Sequence, residues 1–218
     1  MNLSELFNER VLALPVLLFS IVVHEYSHAL VAYRAGDMTA ARAGRLTLNP
    51  LVHLDPIGTV LIPIIQFFGP SGLPLIGWAK PVPVNPLRFR SSEWDIFVSL
   101  AGPASNFLLV VIAAVLMKLA VVTGMLTPAM KPLIMILVFF ITINVCLGIF
   151  NLLPIPPLDG SHVLLRLLVS ARSPLAERYE ALAPYGYVIL MLILISPASR
   201  FFLWIVGFCR DLVFRFIF

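Results

Sequence analysis

The sequence predicts an all-α polytopic membrane protein, and three observations carry that reading. Of 218 residues, 60% are hydrophobic and 12% are charged, about half the charged share of a soluble domain. Too little polar surface remains to cover a soluble globule, so part of the solvent must be lipid. Long apolar runs recur at Val11 to Tyr33, Ile96 to Leu119 and Leu133 to Leu153, each long enough for a helix through a ~30 Å hydrocarbon core. The basic residues, which give a net charge of +4, fall in short loops between those runs. Membrane topology accounts for them there and a nucleic-acid partner is not needed. The length suits a single domain over 1–218, with room for roughly five or six spans.

The first span follows the polar segment MNLSELFNER. That segment lacks the basic region and small-residue cleavage site of a signal peptide, so the span is expected to be retained. Beyond it, Ala43, Arg45, Thr47 and Asn49 alternate with Leu46 and Leu48, which predicts a short strand or hairpin over 43–49 at the membrane face. A second strand-like segment lies at 78–86. Ile57 to Ile76 is apolar but broken by Gly69-Pro70-Ser71-Gly72, the pattern of a re-entrant hairpin, whose irregular backbone needs cover from protein or a cavity. The third long span runs into Pro154-Ile155-Pro156-Pro157, and 161–180 is a polar connection. Tyr185 to Ile195 and Phe201 to Phe218 predict a C-terminal helix pair within 180–218.

Charge tests this topology. With the first span entering the cytosol and 57–76 re-entrant, Arg34, Arg42, Arg45, Lys80, Arg88, Arg90, Arg166, Arg172, Arg178, Arg210 and Arg215 lie inside. Arg10, Lys118, Lys131 and Arg200 lie outside, an asymmetry of the positive-inside kind. A true crossing at 57–76 would move Lys80, Arg88 and Arg90 outside and weaken it. Cys146 and Cys209 sit in apolar runs and read as buried thiols, not a disulfide framework.

The chemistry is concentrated at His24-Glu25-Tyr26-Ser27-His28, an HExxH sequence inside the first span. Residues four apart share a helix face, so both imidazoles can reach one metal. Zinc accepts imidazole nitrogens in a tetrahedral shell, and a catalytic site keeps one position for water. The metal lowers that water's pKa to about 7, and Glu25 stands beside a ligand to take its proton. Two core histidines bonded to other polar groups would be the bland alternative. It leaves three ionisable groups within one helical turn to be compensated in lipid, where such groups are functional by default. His24 lies ~20 Å into the span, ~10 Å from the cytosolic edge, so water needs a polar inlet from that side.

One ligand is missing, and His53, Asp55, Asp159 and His162 are the candidates. Asp159 follows helix-breaking prolines at the inner end of the third span, and Gly160 permits a tight turn. That construction can aim a carboxylate at the site from a second element. His53 and Asp55 sit in the interfacial segment 49–56, where solvation or capping explains them better. His162, one turn past Asp159, reads equally as a neighbour of the site or a solvated side chain.

Taken with Gly102-Pro103-Ala104-Ser105-Asn106 and Asn151…Pro154…Pro157-Leu158-Asp159-Gly160, this motif resembles the site-2 protease family of intramembrane zinc metalloproteases. The resemblance covers residues 15–165, and Gly77 to Pro86 is similar to the compact bacterial subgroup without a PDZ domain. No polar loop here is long enough to hold one. The resemblance implies a three-helix catalytic core over 11–165 and one Zn2+ per chain on His24, His28 and Asp159. It makes Glu25 the general base that later protonates the leaving amine. It implies that Asn151 assists at the scissile carbonyl, where an amide can donate to the developing oxyanion. Asn106 matches the asparagine of the second-span motif. Helix–helix hydrogen bonding is the alternative for both asparagines.

The implied substrates are single-span membrane proteins, cut within their spans by a multi-pass protein of the plasma membrane whose site lies nearer the cytosol. A helix hides its peptide bonds, so the substrate must unwind, and 43–49 and 78–86 offer pairing by strand addition. Two other functions compete: a non-proteolytic zinc-binding membrane regulator, and a metal or proton transporter. Glu25 argues against the first, since a structural zinc site needs no base. The lone ligand cluster and the lack of an internal repeat argue against the second.

Overall fold

The apolar runs become helices because no other open structure satisfies the backbone within lipid. The computed structural model describes residues 3–61, 79–125 and 127–218. In chain order they form α1 (Leu3–Ala35), α2 (Thr39–Arg42), α3 (Trp94–Val122), α4 (Lys131–Asn151), α5 (Asp159–Ser170), α6 (Leu175–Glu180), α7 (Gly186–Ile195) and α8 (Ala198–Ile217). Four stretches are long and apolar enough to cross a membrane: Val11–Ala35, Trp94–Val122, Pro128–Asn151 and Leu175–Ile195. The chain is an all-α, multi-pass membrane protein.

Lipid gives helices little reason to associate, so small residues and buried polar contacts hold the bundle. On α1, Ala29, Ala32 and Ala35 are fully buried. On α4, Gly148 forms a notch for the Phe107 ring of α3; a Cβ there would stand 2.8 Å from Phe107 Cζ. Val110, Met117, Ile141, Val145, Val206 and Ile217 make an apolar core shared by α3, α4 and α8.

The C-terminal pair is α7 and α8, but α8 runs opposite to the expected direction. Phe202, near its start, meets Phe150 at the end of α4 with ring centroids 5.8 Å apart. At its other end the Ile217 carbonyl accepts from Lys118 Nζ at 2.9 Å. Arg215 therefore shares an end of the bundle with Lys118, and Arg200 shares the end that holds Phe150. The cause is length. Tyr179 donates to the Pro154 carbonyl, Gly186 packs on the Pro156 carbonyl, and the ten residues of α7 rise only ~15 Å. The chain therefore starts α8 without having crossed a ~30 Å core.

Neither predicted strand forms among the described residues. Residues 43–49 make turns and bends after α2, with Gly44 at φ 68°, so they offer no edge for pairing. Residues 79–85 are extended, but Pro81 and Pro83 remove donors that a ladder needs. Three of their remaining N–H groups are taken singly: Lys80 by the His53 carbonyl at 2.9 Å, Val82 by Glu25 and Asn85 by Asp37. The expected re-entrant hairpin begins as a π-helical turn, Pro56–Leu61, and from residue 62 lies outside the described residues.

The end of α1 fixes where this extended segment docks. Gly36, at φ 107°, lets its N–H reach the Tyr33 carbonyl and the Asp37 N–H reach the Ala32 carbonyl, a Schellman stop. Asp37 is fully buried. It accepts from the Thr39 N–H and hydroxyl and from the Asn85 N–H at 2.7 Å. Burial opposes its ionisation, but these bonds and the nearby Arg88 charge hold its carboxyl below the ordinary carboxylate range. A carboxyl lowered in the folded state stabilises the fold above its unfolded pKa of about 4 and loses that contribution as pH falls through the folded value. Thermal unfolding in detergent should therefore show a midpoint that drops below about pH 4. Asp37→Asn should flatten that drop and cost about 1–3 kcal/mol at neutral pH.

Candidate metal centre

Ser20, His24 and His28 recur every fourth residue, so they line one face of α1. That face meets α3. His24 Nε2 and His28 Nε2 lie 3.1 Å apart, and Asp159 Oδ2 lies 3.2 and 3.4 Å from them. Asp159 is the first residue of α5, and Leu158 before it is extended. Gly160 matters through close approach, not through a left-handed turn: a Cβ there would overlap the Leu152 carbonyl oxygen. That contact seats α5 against the end of α4 and presents the carboxylate.

Both imidazoles are held in one tautomer. His28 Nδ1 is 2.7 Å from the Val98 carbonyl, which can only accept, so Nδ1 carries the hydrogen and Nε2 keeps its lone pair. His24 Nδ1 faces Asn106 Oδ1 at 2.7 Å. Two nitrogen lone pairs and a carboxylate oxygen thus converge on one point. Asp159 Oδ2 is buried with no hydrogen-bond partner. Across the point stands Gly102 of α3, where a Cβ would overlap His28 Nε2 and crowd the His24 ring. A tetrahedral zinc with arms of ~2.0–2.1 Å has ligand atoms ~3.3 Å apart. The three observed separations match that edge, and a two-histidine, one-carboxylate donor set suits zinc.

Glu25 Oε2 accepts from the Val82 N–H at 2.8 Å, so the extended segment passes directly over it. Glu25, His28, Asp159, Val82, Ser99 and His162 line a cavity of about 370 Å³. His162, one turn past Asp159, lines this cavity as well. His53 and Asp55 stay away from the triad. His53 is fully buried, bonds the Thr47 carbonyl through Nε2 and receives Lys80. Asp55 Oδ1 caps the turn after it, accepting from Ile57 and Gly58. Asn106 reaches His24, whereas the Asn151 amide donates to Leu147 of its own helix at 3.1 Å. Sequence reasoning missed Asn144, a fully buried residue of α4 that bonds Asn106 at 2.8 Å. Its signal was an asparagine in the middle of an apolar span.

Fold and site together define the class: a polytopic membrane protein with a zinc-type donor triad and a carboxylate opening onto the same cavity. Comparison with known proteins gives the family. Residues 118–194 match the family model described as "Peptidase family M50", a region that includes Asp159 and begins after the two histidines. The chain is 39% identical over 194 residues to "Putative zinc metalloprotease YwhC" of Bacillus subtilis, covering 86% of this chain and 82% of that protein. It is 34% identical over 199 residues to "Putative zinc metalloprotease Rip2" of Mycolicibacterium smegmatis, covering 89% and 71%. No solved structure matches it. The chain belongs to peptidase family M50, the site-2 protease family, and is a zinc metalloprotease.

Proposed function

We propose that this chain holds one zinc ion on His24, His28 and Asp159 and hydrolyses peptide bonds inside the membrane segments of single-span proteins. The observation that carries this is the convergence of both Nε2 atoms and Asp159 Oδ2 within 3.1–3.4 Å, with both histidines on a helix apolar enough to cross a bilayer and Glu25 lining the same cavity. When bound, zinc supplies a Lewis acid that activates water near neutral pH and polarises a carbonyl. Glu25 accepts the proton of the attacking water and delivers it to the leaving amine. His28 and His24 keep their lone pairs on the metal because Val98 and Asn106 occupy their other nitrogens. Asn151 donates to the developing oxyanion once its amide leaves the Leu147 carbonyl.

The cavity sets the form of the substrate. One turn of helix with its side chains fills about 420–610 Å³, more than the cavity of about 370 Å³, so an intact transmembrane helix does not fit and the cut segment enters unwound. We place the protein in the plasma membrane with this cavity nearer the cytosol, on the side of the basic residues Arg34, Arg88 and Arg166.

The test uses the chain purified in detergent and a panel of single-span proteins. Bound zinc is measured and products are mapped by mass spectrometry. Zinc near one per chain, cuts within apolar segments, loss of cutting on chelation and recovery on adding zinc are expected. Cuts confined to extramembrane regions, or a chain that takes up no zinc, would overturn the reading.

A further inference from the structure

We infer that a buried relay, Ser20–Asn144–Asn106–His24, fixes the tautomer of the first zinc ligand, and that Asn144 is a positioning residue acting through Asn106. This rests on the metal-centre reading above. Ser20, Asn106 and Asn144 are fully buried, and they sit on α1, α3 and α4. Asn144 Nδ2 donates to the Phe140 carbonyl at 2.9 Å and to Ser20 Oγ at 2.8 Å. The Ser20 hydroxyl in turn donates to the Val16 carbonyl at 2.7 Å. Asn144 Oδ1 accepts from Asn106 Nδ2 at 2.8 Å, and Asn106 Oδ1 faces His24 Nδ1 at 2.7 Å.

The direction of this relay is forced from its far end. A backbone carbonyl has no hydrogen to give, so Phe140 admits only the NH2 side of the Asn144 amide. Turning that amide over would press oxygen against oxygen at Phe140. It would also face Ser20, whose hydrogen is committed to Val16. With Asn144 fixed, its oxygen admits only the NH2 side of Asn106. Asn106 then shows only its oxygen to His24, so Nδ1 must carry the hydrogen and Nε2 must keep the lone pair. An asparagine left without that restraint can turn over and donate to Nδ1, which puts the hydrogen on Nε2 and blocks metal binding. His28 needs no such relay, because a carbonyl faces it directly.

A double-mutant cycle tests this. Zinc affinity of the detergent-purified apo chain is measured by competition with a chromophoric chelator, alongside thermal unfolding without metal. Asn144→Leu keeps the branched shape but frees Asn106, and should weaken zinc about tenfold, the usual scale for a residue supporting a ligand. Asn106→Ala has no amide to turn toward His24, so in that background Asn144→Leu should change affinity by less than about twofold, within the error of additivity. Asn144→Ala is compared in the same way if the leucine variant does not fold. Equal losses of affinity in both backgrounds, or no loss in the wild-type background, would overturn the relay while leaving the zinc site standing. A wild-type chain that takes up no zinc would overturn the site and the relay together.

Discussion

Glu25→Gln is expected to retain zinc and to lose peptide-bond hydrolysis by about 10²- to 10⁴-fold, the range for removing a general base. Glutamine has the shape of glutamate and keeps an oxygen that can accept from the Val82 N–H, now at 2.8 Å. The extended segment therefore has no reason to shift. The three proposed zinc ligands are other residues and stay where they are. What disappears is the ability to take a proton from water at neutral pH. Zinc content and turnover measured on one preparation separate the alternatives. A zinc-binding regulator would keep its function in this variant, and a protease would not.

Gly102→Ala is expected to abolish the site by a different route. Its Cβ would overlap His28 Nε2 and stand 2.5 Å from His24 Cε1 and Nε2, whereas ordinary contact needs about 3.5–4.0 Å. Neither ring can yield easily, because Val98 and Asn106 hold their far nitrogens. The helices must part or the rings must swing, and a displacement of about 1 Å at reacting groups costs about 10²-fold in rate. Overpacking of this kind also costs about 1–3 kcal/mol of stability. Zinc titration and thermal unfolding report the two effects separately. Gly207→Ala on α8, with nothing within 4 Å of the added Cβ, is the control and should keep zinc. A Gly102→Ala chain that binds zinc as the wild type does would show that the three donors are not the metal site.

The long helices were legible because length and apolar content are local properties. HExxH was legible because two histidines four apart announce a shared face. Asp159 was one of several candidates until the pattern around it resembled a family. The errors have physical causes. Residues 43–49 alternate as a strand does, but Gly44 takes a left-handed turn and no partner strand is present among the described residues. Arg200 and Arg215 were assigned ends by taking Tyr185 to Ile195 and Phe201 to Phe218 each as a crossing, whereas the ten residues of α7 rise only ~15 Å. Asn144 and Asn106 are 38 positions apart, and nothing local to either names the other. The contact between Glu25 and the Val82 N–H is the least legible, because a backbone donor leaves no signature in the side chains.

That last contact has a mechanical meaning. Residues 79–85 are fastened to the His53 carbonyl, to Glu25 and to Asp37, and the Arg90 N–H just beyond them holds the Ala35 carbonyl at 2.8 Å. Every one of these anchors lies on α1 or in the turns that follow it. Four bonds worth about 1 kcal/mol each weld the segment to α1, so one jaw of the cavity is a single rigid piece carrying Glu25 and both imidazoles. A peptide that draws Glu25 away from the Val82 N–H therefore leaves the segment tied at its other three points.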